Sequence, residues 1–258
     1  MTHLIHFNVS PRRFGAWSAT RSPRGAEGGD PQHMMHVLLS ALFGKGLAQP
    51  FRLFEPQTGD WSVYAHSVMS AEELARTANL VGTPEMLSII SIGDMRGKPL
   101  PTQVPAGTRI GFDVRLSPMM RTENSEQDAY AAMAKQLFPD EPDGMARAGL
   151  TREGVYRDWF AKRLEGAGEL EEVRMSSFRR VPMFRSGHRF TAPEIVLHGD
   201  LRVTDPERFR ALHHHGVGRG KAYGFGLLLL RPARPVRPNC VPDPGRPGTR
   251  AGRRCLTS

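Results

Sequence analysis

Two stretches of this chain combine residue types able to do chemistry at useful spacing. One is His33-Met34-Met35-His36-Val37-Leu38-Leu39-Ser40-Ala41-Leu42-Phe43; the other is His215-Gly216-Val217-Gly218-Arg219-Gly220-Lys221-Ala222-Tyr223-Gly224-Phe225-Gly226. Imidazole titrates near working pH, so a presented histidine can take or give a proton, a transfer that typically contributes about 100- to 10,000-fold to a rate. The second stretch has five glycines in eleven positions, 216–226, with Arg219 and Lys221 among them. Such a loop can cradle phosphates with free amides and cations while Tyr223 or Phe225 stacks on a base. The same composition also suits a turn that lets one strand pack closely, and spacing alone does not separate the two.

Other chemistries fail on order or spacing. A Rossmann G-x-G-x-x-G follows a strand and opens a helix, whereas this segment follows a helical pattern and leads into Leu227-Leu228-Leu229-Leu230. A Walker loop would need glycine at His215 and Ser or Thr at Ala222. His213, His214 and His215, with His188 and His198, lack the spacing of a metal centre, and three consecutive residues cannot converge on one ion from a helix end. No metal site and no cofactor are expected.

Read as a helix with Asp30 as N-cap and Pro31 at its first position, residues 31–43 bury Met34, Met35, Leu38, Leu39, Ala41 and Leu42. His33, His36 and Ser40 then share the opposite face, and Gly44 stops the helix. Around it, alternation predicts strands over 3–9, 51–54, 61–66, 88–92 and 109–116 and a helix over 71–80, the order βαββαβ with an additional strand. The alternation repeats as helix 155–165, strands 170–178 and 194–203, helix 206–214 and strand 222–230. The expected fold class is α+β, two tandem ferredoxin-like (RRM-like) βαββαβ modules with antiparallel sheets. The modules would span 1–123 and 151–233, joined by a linker over 124–150 that is helical only near 131–137. A basic tail over 234–258, rich in proline and arginine, is expected to be disordered.

The formal charge of the 258-residue chain is +9, but from Pro232 onward six arginines face one acid, which leaves +4 for the rest. This mild surplus favours a polyanionic partner without proving one. Cys240 and Cys255 fit neither a zinc site nor a disulfide scaffold. The longest apolar run, 227–230, falls far short of the roughly 20 residues that cross a bilayer, and the start lacks a signal-peptide pattern. A cytoplasmic chain with no membrane partner is expected.

The segment from Glu194 to Pro206, EIVLHGDLRVTDP, followed by Gly216 to Leu228, GVGRGKAYGFGLL, resembles the end of the CasE family, the CRISPR-associated endoribonucleases of the type I-E Cascade complex. The family pattern there is an aliphatic strand with F-x-G-x-L-x-V-x-D, a short helix, then G-I-G-x-x-K-x-x-G-x-G-L-L-x-L, and His198 before Gly199 is a small departure. Weaker likeness extends to Arg115-Leu116-Ser117-Pro118 and Tyr156-Arg157-Asp158-Trp159-Phe160, so the resemblance covers residues 1–232. In the family the catalytic histidine sits in a first helix written Y-x-L-H-x-x-L-x-x-L-F. His36 overlays it, and His33 replaces the tyrosine.

The resemblance implies His36 as a catalytic group, His33 as a candidate second one, and Lys221 as the cation at the scissile phosphate. RNA contacts are expected from Gly216, Gly218, Arg219, Gly220, Lys221, Tyr223 and Gly224, and from Arg179, Arg180, Arg185 and Arg189 on a basic hairpin that can follow A-form phosphates. The implied function is a metal-independent endoribonuclease that binds CRISPR repeat stem-loops. It would cleave precursor crRNA at the 3′ base of the hairpin by 2′-OH attack, leave a 2′,3′-cyclic phosphate, and remain bound beside other Cascade subunits. A noncatalytic crRNA-binding subunit of a CRISPR effector complex is the alternative.

Overall fold

The computed structural model describes residues 1–21, 31–121, 126–185 and 188–235, without the side chains of 184, 185, 188 and 189. The Asp30 cap, the side chains of Arg185 and Arg189, and the tail from 236 with both cysteines lie outside the described residues.

The first module runs β1 (His3–Val9), α1 (Pro11–Ala19), α2 (Pro31–Phe43), β2 (Phe51–Phe54), β3 (Trp61–Ser67), α3 (Ala71–Val81), α4 (Pro84–Ile89) and β4 (Arg96–Pro99). Its antiparallel sheet has the ferredoxin-like order β2-β3-β1-β4. Ile5, Phe7 and Val9 of β1 meet Met35, Leu38 and Leu42 of α2 and Leu74 and Ala78 of α3 in one core. Ala41, expected in that stripe, faces outward. Sequence reading missed α1, although Pro11 occupies its first turn and Phe14 and Trp17, three apart, are buried. Of the strand expected over 88–92, residues 88 and 89 are instead the end of α4, which Thr83 caps by accepting from the Met86 amide, Ile90 makes a single bridge to Val9, and Ile92 opens a 3-10 turn. The true edge strand, β4, is exposed along its length and so shows no apolar alternation.

The second module comprises β5 (Arg109–Leu116), β6 (Met119–Arg121), β7 (Glu126–Asp128), α5 (Ala129–Leu137), α6 (Gly144–Arg147), α7 (Arg152–Leu164), β8 (Gly168–Arg185), β9 (His188–Val203), α8 (Pro206–His215) and β10 (Leu228–Pro232). Its order β10-β5-β9-β8 repeats the ferredoxin-like pattern. Two expectations need correction here. Residues 109–116 do not close the first module: β5 pairs with β9 and β10 and is the first strand of the second. Nor is 124–150 a spacer, because Ala129 and Met145 enter the second core beside Tyr156 and Phe160. Asp128 caps α5 through the Tyr130 amide and also accepts from the Tyr156 hydroxyl at 2.9 Å. The segment is an insertion between the module's first strand and first long helix.

Where the modules meet, His66 of β3 and His213 of α8 are buried with ring centroids 5.1 Å apart. Desolvation pushes the His66 imidazole down to about 4 and that of His213 down to about 3, the latter helped by the neighbouring His66. Both native values lie below the ordinary imidazole range near 6.5, so protons bind the unfolded chain preferentially as pH falls. Stability is therefore complete above about pH 6.5 and is lost progressively toward pH 4, by roughly 3 kcal/mol for His66 alone. Urea unfolding at pH 7.5 and pH 5 should show a lower midpoint at pH 5 and a shallower fall in His66→Phe. An identical pH dependence in the variant would contradict this account.

Candidate active site and RNA-binding loop

Helix α2 ends its first turn against the glycine-rich loop of the second module, and glycine makes that approach possible. Gly224 has φ +72°, and a Cβ there would strike Gln32 Oε1 of α2 and press on the Arg115 guanidinium. Gly226 (φ +83°) lies against the Val217 carbonyl, where the Val217 amide donates to the Gly226 carbonyl at 2.8 Å. These glycines thus serve close approach of the protein to itself, the tight-turn reading of the motif. They also interrupt the strand expected over 222–230: β10 begins only at Leu228, after a 3-10 turn over Lys221–Tyr223. Among the described residues, no backbone acceptor meets the amides of residues 218–222, which leaves donors for an anionic strand.

Arg115 of β5 anchors this loop. Its buried guanidinium donates to the carbonyls of Tyr223 at 2.9 Å and Gly224 at 3.2 Å, pairs with the buried Glu194 of β9, and lies 4.2 Å from the Phe225 ring centroid. Burial alone would raise the Glu194 carboxyl, but Arg115 and Arg179 hold it below the usual range. Phe225 is fully buried and cannot stack on a base. Sequence reading missed Arg115 as a functional residue. The available signal was an arginine inside an otherwise apolar strand segment, Val114-Arg115-Leu116.

Tyr223 stacks on His33 of α2, centroids 5.5 Å apart, and His33 lies 6.4 Å from His36. The imidazoles of the first module and the loop turn carrying Lys221 therefore share one neighbourhood. Among the described residues the buried His33 Nδ1 has no hydrogen-bond partner. His36 is half-buried, with the Gln49 amide 2.8 Å from Nδ1 and the Ser40 hydroxyl at 3.5 Å. Burial, aided by the nearby charges of His33 and Lys45, holds its imidazole below the ordinary value and so neutral at working pH. Burial likewise lowers the Lys221 amine. Between the start of α2, the loop and the β8–β9 ribbon lies a cleft of about 160 Å³ lined by Gln32, Glu55, Arg115, Arg179 and Tyr223 among others. There the Gln32 amide donates to Glu55 at 2.9 Å, and burial raises the Glu55 carboxyl. Sequence reading had not singled out either residue.

The sequence pattern of the family described as CRISPR associated protein matches residues 2–232. The chain belongs to the CRISPR-associated protein family, as the resemblance to CasE endoribonucleases anticipated. The CRISPR-associated endoribonuclease Cse3 of Thermus thermophilus is 30% identical over 138 residues, which span 52% of this chain and 61% of that relative's length. A solved structure of Thermus thermophilus Cse3, bound to an RNA representing a pre-cleavage complex, superposes with a TM-score of 0.62 at 19% identity, covering 90% of this chain and 99% of that one. CRISPR-associated protein Cas6e from Escherichia coli K-12 gives 0.57 at 18% identity, covering 90% and 100%. These likenesses show the fold, and the tandem ferredoxin-like architecture read from the sequence is shared.

In this CRISPR-associated protein the basic groups are distributed differently from their bare sequence pattern. Arg179 pairs with Glu194 at 2.6 Å, Arg180 with Asp128 at 3.7 Å, and Arg219 with Glu126 at 2.6 Å, while each side chain stays more than half exposed. An anion reaching these cations would have to compete with carboxylates that are themselves largely buried. The three adjacent histidines diverge: His213 is buried, Nδ1 of His214 lies 3.2 Å from the Thr2 hydroxyl, and Nδ1 of His215 lies 2.8 Å from the Ala211 carbonyl.

Gly224→Ala should cost about 1–3 kcal/mol, because left-handed strain adds to a collision with Gln32. Gly59→Ala is the control for strain alone: Gly59 has φ +85° and nothing within 4 Å of a Cβ. Urea unfolding should show the larger loss for Gly224→Ala. Equal losses would contradict the close helix–loop approach.

Proposed function

We propose that the chain is a metal-independent endoribonuclease that binds CRISPR repeat stem-loops and cuts precursor crRNA at the 3′ base of the hairpin. The observation that carries this reading is the 5.5 Å stack of His33 on Tyr223, which joins the histidine face of α2 to the Lys221 turn across the two modules. The named activity of the Thermus relative points the same way. In the proposed reaction the 2′-oxygen attacks phosphorus as its proton leaves, the bond to the 5′-oxygen breaks, and that oxygen takes up a proton. A 2′,3′-cyclic phosphate and a 5′-hydroxyl result. His36, neutral and half-buried, serves one of the two proton transfers. The Lys221 amine and the amides of 218–222 bear on the negative charge that develops at phosphorus.

The protein then stays on the hairpin as a subunit of a cytoplasmic Cascade assembly. Incubating it with cognate repeat RNA in EDTA tests the reading: one specific cut is expected. Tight binding with no cut would instead favour a noncatalytic crRNA-binding subunit. Lys221→Ala should slow single-turnover cleavage by about 100- to 1,000-fold, the scale for losing one charge-stabilising donor, with Lys221→Arg retaining part of the rate. An unchanged rate for Lys221→Ala would remove the lysine from the mechanism.

A further inference from the structure

The loop between α2 and β2 brings a neutral amide, not a carboxylate, to the inner nitrogen of His36. Gln49 Nε2 lies 2.8 Å from His36 Nδ1, and the Ser40 hydroxyl, at 3.5 Å, is the weaker neighbour. We infer that Gln49 is a positioning residue: by holding His36 through Nδ1 it leaves Nε2 as the nitrogen offered to RNA and, through the orientation of its amide, sets whether that nitrogen carries a proton or a lone pair. The inference rests on the endoribonuclease reading and goes beyond it.

An imidazole with one nitrogen occupied has only the other to offer, and the occupant decides its form. With the amide N–H donating to Nδ1, the ring proton sits on Nε2, which can then donate a hydrogen bond to a phosphate oxygen but cannot release that proton without leaving an imidazolate. With the amide turned over, its carbonyl accepts from Nδ1–H and Nε2 carries the lone pair that a base needs. The carbonyl orientation therefore holds the ring through both halves of a proton-transfer cycle, because the imidazolium formed when Nε2 takes a proton keeps its Nδ1–H on the same oxygen and can return the proton from Nε2. A carboxylate in its place would hold only the second form and would favour the imidazolium. The charged groups that bear on His36 are His33, one turn earlier on α2, and Lys45, just beyond its end. Both are cationic when protonated and favour a neutral ring, which a neutral partner accommodates. In sequence Gln49 sits in a connection with no motif, so only the folded geometry exposes it.

The test compares the full-length protein with Gln49→Glu, which keeps the shape and adds charge, and with Gln49→Leu, which removes the hydrogen bond. Single-turnover rates on repeat RNA across pH are read beside the ¹⁵N resonances of the His36 ring in the free protein. In Gln49→Glu, the His36 titration and the matching limb of the rate profile should both move up by about one pH unit or more. Gln49→Leu should slow cleavage about tenfold or more at every pH, leave RNA affinity unchanged, and blur the ring into a mixture of tautomers. A His36 titration and rate profile that are the same in all three proteins would overturn the inference while leaving the endoribonuclease reading intact. If the parent fails to cut but Gln49→Glu still shifts the His36 resonances, the positioning role survives and the endoribonuclease reading falls.

Discussion

His36→Ala should lower single-turnover cleavage by about 100- to 10,000-fold, the range for removing one proton transfer, while the dissociation constant for repeat RNA changes little. The separation follows from where the groups sit. The amides of 218–222, Arg219 and the β8–β9 ribbon belong to the second module and survive the substitution, so affinity should persist. The imidazole comes from the first module, held by the Gln49 amide. His33→Ala should cost less, because His33 has its ring against Tyr223 and acts at most beside His36. His33→Tyr, the residue that the family pattern carries there, should be tolerated. Cleavage and gel-shift assays on the same preparations check both halves of the prediction. A His36→Ala protein that cuts at the parental rate would exclude the imidazole from the chemistry.

Arg115→Met should destabilise the protein by about 3–5 kcal/mol, the scale for breaking a buried ion pair by removing one partner. The Glu194 carboxylate would be left in the interior facing, among the described residues, the half-exposed Arg179 alone, and the carbonyls of Tyr223 and Gly224 would lose the Arg115 donor. Adding Glu194→Gln should restore much of the stability, since no unpaired charge then remains buried. It should not restore cleavage, because the loop still lacks its anchor. Urea unfolding of the single and double variants measures the first effect, and single-turnover rates measure the second. Equal stability of Arg115→Met and the parent would show that the pair contributes nothing net.

The bounds of helix α2 and most of its stripe, Ala41 excepted, were legible in the sequence, from Pro31 at its first turn to Phe43 before Gly44, because both are local signals. The sheet that β5 joins was not. Phe112, Val114 and Leu116 alternate as they would in either module, and only pairing with β9 and β10, far along the chain, decides between them. The stretch 124–150 read as a linker because its prolines and glycines break any pattern, yet Ala129 and Met145, with Met133 and Phe138 packed beside them, bind its helices to the second core. At the site, His36 and the glycine-rich loop stood out through the family resemblance. Arg115, Gln49 and the Gln32–Glu55 pair did not, since each acts through a contact made only when distant segments fold together. The glycines illustrate the limit well: their spacing announced a close approach, but only the fold shows that much of it is to Gln32 and Val217 of the same chain.

The most direct check on the central claim replaces a single atom of the substrate. Repeat RNA is incubated with the protein in EDTA, either intact or with a 2′-deoxy sugar at the scissile nucleotide, and the 5′ fragment is weighed by mass spectrometry. Intact RNA should be cut once, leaving a 2′,3′-cyclic phosphate, and the deoxy substrate should be bound but not cut there. Cutting of the deoxy substrate at the same position, or cutting that appears only when a divalent metal is added back, would contradict the proposed chemistry of His36 and Lys221.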